Sequence, residues 1–233
     1  MAWKRILLAV GFTVSLAACS SESAEVRIHN HLEEAVVLEE GFEEQQSEIT
    51  ALEKQEQELY SQIVDMGSDE MGKIKETAEK AIDVIDEREE RIELEKESIN
   101  SSEEEFLKIE PLLEEVEAEE TQAAAQEMYQ VMESRYASYE DLYTAYKESL
   151  ELERELYNML GEEELEQDKL TEHIDAVNES YERVLQANEQ FNNETVEYNA
   201  LKQEFYESTG MNVAYEENST SDTKDEKASA EEE

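Results

Sequence analysis

Residues 129–160 read YQVMESRYASYEDLYTAYKESLELERELYNML, and the spacing of their rings decides the fold. Tyr129, Met132, Tyr136, Tyr139, Tyr143, Tyr146, Leu150, Glu153, Tyr157 and Leu160 follow one another in alternating steps of three and four. Such a repeat lines one face of a long helix. Gly161 comes directly after its last member and is expected to end it.

Working outward, the same pattern recurs three times. Upstream, Met71, Ile74, Ala78, Ala81, Ile85, Arg88, Ile92, Glu95 and Ile99 form a seam whose phase continues through Ser102, Phe106, Ile109, Leu113 and Val116. Two boundary signals fall inside it. Asn100-Ser101-Ser102 followed by three glutamates reads as a capping box, and Pro111 suits only a helix start or a kink. The break is placed near Pro111. The first seam is Ala35, Leu38, Phe42, Gln45, Ile49, Leu52, Glu56, Leu59, Ile63 and Met66, which predicts one helix of roughly 40 residues, or ~60 Å. Gly67 is expected to close it in the left-handed conformation, with Ser68 capping the next helix. The fourth seam runs Leu170, Ile174, Val177, Tyr181, Val184, Asn188, Phe191, Thr195, Tyr198, Phe205 and closes at Gly210. Four long amphipathic segments joined by short turns predict an all-α, elongated antiparallel helical bundle over residues 26–210. A long helical hairpin or a dimeric coiled coil would satisfy the same seams. Residues 211–233 lose periodicity and read as a disordered acidic tail.

The composition agrees and excludes much else. The chain has 233 residues, with 64 acids against 19 bases and a net charge of −45. Nucleic acids and anionic bilayers need a basic footprint, which this balance denies. One cysteine excludes an internal disulfide framework and a cysteine-based zinc site. Six glycines and one proline are too few for a turn-rich β-fold.

The first residues read as an address. Lys4 and Arg5 precede an apolar run over 6–16 that is too short to span ~30 Å of hydrocarbon. It ends in Leu16-Ala17-Ala18-Cys19, which resembles the bacterial lipobox. That resemblance implies cleavage before Cys19, a diacylglycerol on its sulfur and an N-acyl group on its amine. Residues 1–18 are then a leader and 19–25 a lipidated tether. The mature chain has 215 residues at −47, because the leader carries Lys4 and Arg5 and no acid. Two or three acyl chains anchor a soluble domain stably. The expected product is tethered to the outer face of a cell membrane.

No constellation announces catalysis. Carboxylates on solvated helix faces meet by chance, and acid–base work needs a concave, partly dry site that shifts a pKa. His29 and His31, two apart on a helix, point away from each other and would not share a metal. No phosphate loop, nucleophile elbow or EF-hand is present. No catalytic residue, metal or cofactor beyond the lipid is expected. Tyr129, Tyr136, Tyr139, Tyr143 and Tyr146 admit two readings, as rings packed in a thin core or as an exposed row that stacks on a ligand. Core packing is the preferred one. Glu153 and Asn188, polar on their seams, read as register-setting positions.

The lipobox, His31-Leu32-Glu33, Phe42-Glu43-Glu44-Gln45-Gln46, Glu56-Gln57-Glu58-Leu59-Tyr60, Asp86-Glu87-Arg88, Leu156-Tyr157-Asn158-Met159-Leu160 and Tyr198-Asn199-Ala200-Leu201-Lys202 together resemble the YkyA-type lipoproteins of Bacillus relatives. The resemblance runs from the lipobox to about Gly210 and implies a wall-binding lipoprotein with no assigned mechanism; only Cys19, as lipid attachment point, carries over. Members of that family are richer in lysine, so this chain's acidity is a departure that suits a salt-adapted or alkaliphilic host. The expected function is a binding or spacing element between membrane and cell wall, with a tethered adaptor or chaperone for another exported protein as the alternative. Gram-positive wall is anionic, so adhesion at −47 requires screening salt, bridging divalent cations or a local nonionic surface, for which the tyrosine row is the candidate.

Overall fold

A computed structural model describes residues 22–162 and 166–211. Four antiparallel rods fill it: α1 (Ala24–Leu38) with α2 (Glu40–Asp65), α3 (Met71–Phe106), α5 (Glu119–Leu160) and α6 (Gln167–Thr209). A 3-10 turn over Ser68–Glu70 leads into α3, while another over Leu107–Ile109 and the single-turn α4 (Glu110–Leu113) carry the chain towards α5. No strand occurs among the described residues. At 1.5 Å per residue the 42 residues of α5 make a rod of ~63 Å.

Sequence neighbours pack side by side: the first rod lies along α3, α3 along α5, and α5 along α6. At the end where α1 begins the bundle closes. His29 meets Tyr206 edge-on at 5.1 Å, Phe42 meets Phe191 at 5.7 Å, and the Tyr206 hydroxyl donates to Glu33. Ile28, Leu32, Phe106, Ile109, Met128 and Phe205 fill the core there. Towards the far end Ile49, Ile63, Ala81, Ile85, Leu150 and Tyr157 form a second cluster, joined to the first through half-buried Tyr143 and Val184. There α2 and α6 draw apart.

Helix termini depart from expectation in four places. The first rod breaks once, at Glu39. Phe42 N–H bonds to Glu39 O at 2.9 Å, which leaves the Leu38 carbonyl without its helical partner. The Ser98 hydroxyl, from α3, donates to that carbonyl at 2.6 Å. Glycine at 41 permits the approach, because a Cβ there would stand 3.1 Å from Ser98 Oγ. The single 40-residue helix is therefore two, and the second is angled by a contact that only the folded bundle supplies. Gly67 is extended (φ −81°, ψ 161°) and not left-handed, a conformation open to any residue. Among the described residues only Gly210 takes the left-handed conformation, at φ 69°. Asn100-Ser101-Ser102 is interior to α3: Ser101 bonds back to Glu97 O, and Ser102 is buried against Tyr136 and Glu39. Pro111 stands in the first turn of α4, where its missing N–H is harmless. Helix α1 starts two residues before position 26, capped by Ser23, whose Oγ accepts from Val26 N–H. The leader and lipobox (Leu16, Ala17, Ala18, Cys19) and all of the 211–233 tail but Met211 lie outside the described residues.

Such an excess of carboxylates along parallel rods repels itself. The Debye length shrinks from ~30 Å at 0.01 M to ~3 Å at 1 M salt, so screening removes most of that repulsion. Isolated surface pairs such as Lys73–Glu70 and Lys80–Glu76 are exposed and lose little in exchange. The melting temperature is expected to rise between 0.01 and 1 M NaCl. A flat or falling trend in calorimetry would show that self-repulsion does not limit the fold.

Candidate functional site

Polar residues interrupt the apolar seams of three rods, and the fold brings them to one level. Glu56 on α2, Arg88 on α3 and Glu153 on α5 meet in the interior. Arg88 Nη1 donates to Glu56 Oε2 and, at 2.5 Å, to Glu153 Oε2, while Nε donates to the Tyr146 hydroxyl at 3.0 Å. Tyr146 in turn donates to Glu53 Oε1 at 2.9 Å, and that carboxylate lies 3.6 Å from Arg88 Nη2. Burial works against the Arg88 charge, but Glu153, Tyr146 and Glu56 together hold its pKa above the ordinary value. Burial pushes Glu153 up; Arg88 opposes this and the neighbouring Glu56 adds to it.

Above this cluster the rods leave a groove of about 640 Å³ between α2 and α6. Its floor is Arg88, Glu153 and Tyr157, and its walls carry Tyr60 from α2 and Tyr181 and Leu185 from α6. Tyr181 and Leu185 are 41% and 70% exposed. Tyr181 sits on the fourth seam, so the sequence predicted it buried; instead it is on the open wall of the groove. Glu153 is 1% exposed, yet its Oε1 makes no hydrogen bond of ordinary geometry. The Tyr181 hydroxyl lies near enough to perturb that carboxyl without closing such a bond, and the Tyr157 hydroxyl approaches Glu56 in the same way.

A second interior carboxylate lies one step along. Glu95 is fully buried and accepts from Gln46 Nε2 at 2.6 Å and from the Tyr139 hydroxyl at 3.0 Å. Burial raises its pKa from 4.5 to about 7, against the pull of those two donors. Between those values the folded chain holds a proton that the unfolded chain has released, so stability falls as pH rises through the window. The melting temperature of the wild type is expected to drop from pH 5.5 to pH 8, and Glu95→Gln to lessen the drop. A stability that climbs over this range would contradict it. Arg135, which the sequence did not single out, is buried as well: Nη1 and Nη2 grip both oxygens of Glu39 at 2.9 and 2.7 Å, and Nε donates to Thr195. The kink in the first rod is thereby tied to α5 and α6.

The tyrosine row points inward. Tyr129, Tyr136, Tyr139 and Tyr146 are buried, as core packing requires, and Tyr146 also borders the groove. Tyr143 is half-buried, with its hydroxyl on Glu93 and the Lys96 ammonium 3.9 Å above its ring. The row faces inward because the α5 face that carries it is the one packed against α3 and the first rod. Tyr60, Tyr157 and Tyr181, which are not among those five rings, line the groove together with Tyr146. His29 and His31 diverge, the former against Tyr206 and the latter with Nδ1 2.6 Å from Glu105 Oε1.

Among the described residues no helix is long and apolar enough to cross a membrane. Comparison with known proteins agrees with the geometry. A 1.6 Å crystal structure of a conserved protein of unknown function from Staphylococcus aureus superposes with a TM-score of 0.71 at 17% identity, covering 78% of this chain and 91% of that one, which establishes the shared bundle. The "Uncharacterized lipoprotein YkyA" of Bacillus subtilis (strain 168) is 33% identical over 198 residues, 85% of this chain and 89% of that protein. The family model described as "Putative cell-wall binding lipoprotein" matches residues 23–208, the helical body from the Ser23 cap to the last turn of α6. The chain belongs to the YkyA lipoprotein family.

Proposed function

We propose that this protein is anchored by lipid at Cys19 to the outer face of the cell membrane and binds wall polymer in the groove between α2 and α6. The observation that carries the reading is where the groove lies along the rod. Only four residues separate Cys19 from the start of α1, whereas the groove begins at Thr50. At 1.5 Å per residue that is ~40 Å farther out along the first rod. A bundle standing on its lipidated end would hold the groove clear of the membrane, on the side that faces the wall. The family description supports the partner.

Long-range charge opposes the encounter and short-range contact must overcome it. Full-length protein in nonionic detergent is therefore expected to sediment with purified Bacillus subtilis wall weakly at 0.01 M NaCl and more strongly at 0.2 M, where the Debye length falls below ~10 Å. Leu185→Arg, on an exposed rim position, should block the groove and release the protein from the wall without unfolding it. Unchanged sedimentation of that variant would remove the groove from the reading.

The anchor has its own test. Cys19 is the only thiol, so Cys19→Ser should leave an uncleaved precursor without the lipid. Detergent phase partitioning of cells expressing the variant reads this directly. A cleaved variant that still enters the detergent phase would place the anchor elsewhere.

A further inference from the structure

Three carboxylates, Glu53, Glu56 and Glu153, share one guanidinium at the floor of the groove. The cluster is short of positive charge, and Lys54 at the rim is exposed to solvent instead of filling the gap. It is also short of donors. Glu153 is one of the residues that line the groove, and its buried Oε1 has no hydrogen bond of ordinary geometry, with only the Tyr181 hydroxyl close enough to act on the carboxyl, which is a costly arrangement for a carboxylate oxygen. An anion entering here would meet like charge. A neutral hydroxyl would satisfy the oxygen but leave the charge uncompensated. An ammonium supplies both missing things, a positive charge and three N–H donors. The surroundings suit the stem of such a group: Leu156 and Val177 offer apolar surface for methylenes, and the rings of Tyr157 and Tyr181 can face a cation.

We propose that the groove binds a primary alkylammonium group of the wall, with its nitrogen on Glu153 Oε1 beside the Tyr181 hydroxyl. This rests on the wall-binding reading and names the chemistry that it uses. Two wall sources carry the group: the free side-chain amine of a diamino acid in the wall peptide, and the amine of aminoacyl esters on anionic polymers. Either would let a strongly acidic protein hold a strongly anionic matrix, because it grips the one cationic feature that the matrix displays.

Full-length protein in detergent is titrated with Nα-acetyl-lysine amide and with its Nε-acetylated counterpart, and sedimented with three forms of Bacillus subtilis wall: untreated, N-acetylated, and treated with mild alkali to remove ester-linked aminoacyl groups. The lysine amide should bind saturably, and its Nε-acetyl form at least about tenfold more weakly, the scale of one charge-assisted hydrogen bond. N-acetylated wall should lose binding by a similar factor. Loss on alkali treatment assigns the ester amines, and retention assigns the peptide amines. Glu153→Gln, which keeps the shape and removes the charge, should weaken both probes about tenfold; its melting curve reports whether it folds, and Leu185→Arg provides a block outside the buried cluster. Equal binding to untreated and N-acetylated wall would overturn the ammonium while leaving wall binding intact. Binding of the lysine amide without any binding to wall would uphold the ammonium and overturn the wall as its source. Failure of both, or preference for a neutral N-acetylglucosamine oligomer, would overturn the proposal.

Discussion

Arg88→Met is expected to destabilise the bundle by about 3–5 kcal/mol at pH 8, because it strands Glu56 and Glu153 in the interior without their cation. The side chain is 4% exposed and joins all three rods that meet there, so water cannot replace it. The loss should shrink on acidification. Burial already raises the Glu153 carboxyl and Arg88 opposes this, so without Arg88 it sits further above its unfolded value; the folded variant then takes up a proton as the pH falls, and stability is regained from pH 8 towards pH 5. Urea unfolding at the two pH values measures the difference. Replacing all three residues by apolar ones of similar volume should restore most of the stability, since removing a buried ion cluster entirely often costs little. A variant of Arg88 alone within about 1 kcal/mol of wild type at pH 8 would mean that the cluster is hydrated or loosely held.

The second large effect separates two neighbouring rings. Tyr139→Ala should cost about 3–5 kcal/mol, the range for deleting a buried aromatic. Its ring is 1% exposed, packs at 5.6 Å from Phe191 and 6.1 Å from Phe42, and its hydroxyl is one of two donors to Glu95. Tyr143→Ala, one turn along, should cost clearly less, about 1–2 kcal/mol, because that ring is only partly buried and its hydroxyl bond to Glu93 is exposed. Chemical denaturation of both variants decides it. Equal losses would mean that the row is uniformly core, and a neutral Tyr139→Ala would mean that the α3–α5 interface is not packed as described.

These experiments bear on function as well as stability. The Arg88 cluster is both the floor of the groove and the polar layer that holds three rods in register.

Heptad spacing determined that the chain is helical and that its long segments number four, and Gly67, Pro111 and Gly161 marked where they turn, with Gly210 closing the last. It could do so because helix periodicity is a local property, written into residues three and four apart. The charge and the lipobox-like ending likewise pointed to a tethered protein that avoids nucleic acid. Tertiary structure decided the rest. Glu56, Arg88, Glu95 and Glu153 were each visible as polar residues on a seam, but a seam does not say which level of another rod it meets. Only packing puts Glu56 and Glu153 on one guanidinium and leaves Glu95 to Tyr139 and Gln46. The break at Glu39 depends on Ser98 and Arg135, which lie about 60 and 96 residues away. The tyrosine row and Tyr181 look alike as sequence, aromatic and on a seam. Neighbouring rods bury the first and stop short of the second, because α2 and α6 diverge at the far end. The groove exists through that divergence, a relation between two helices some 120 residues apart that neither one's periodicity contains.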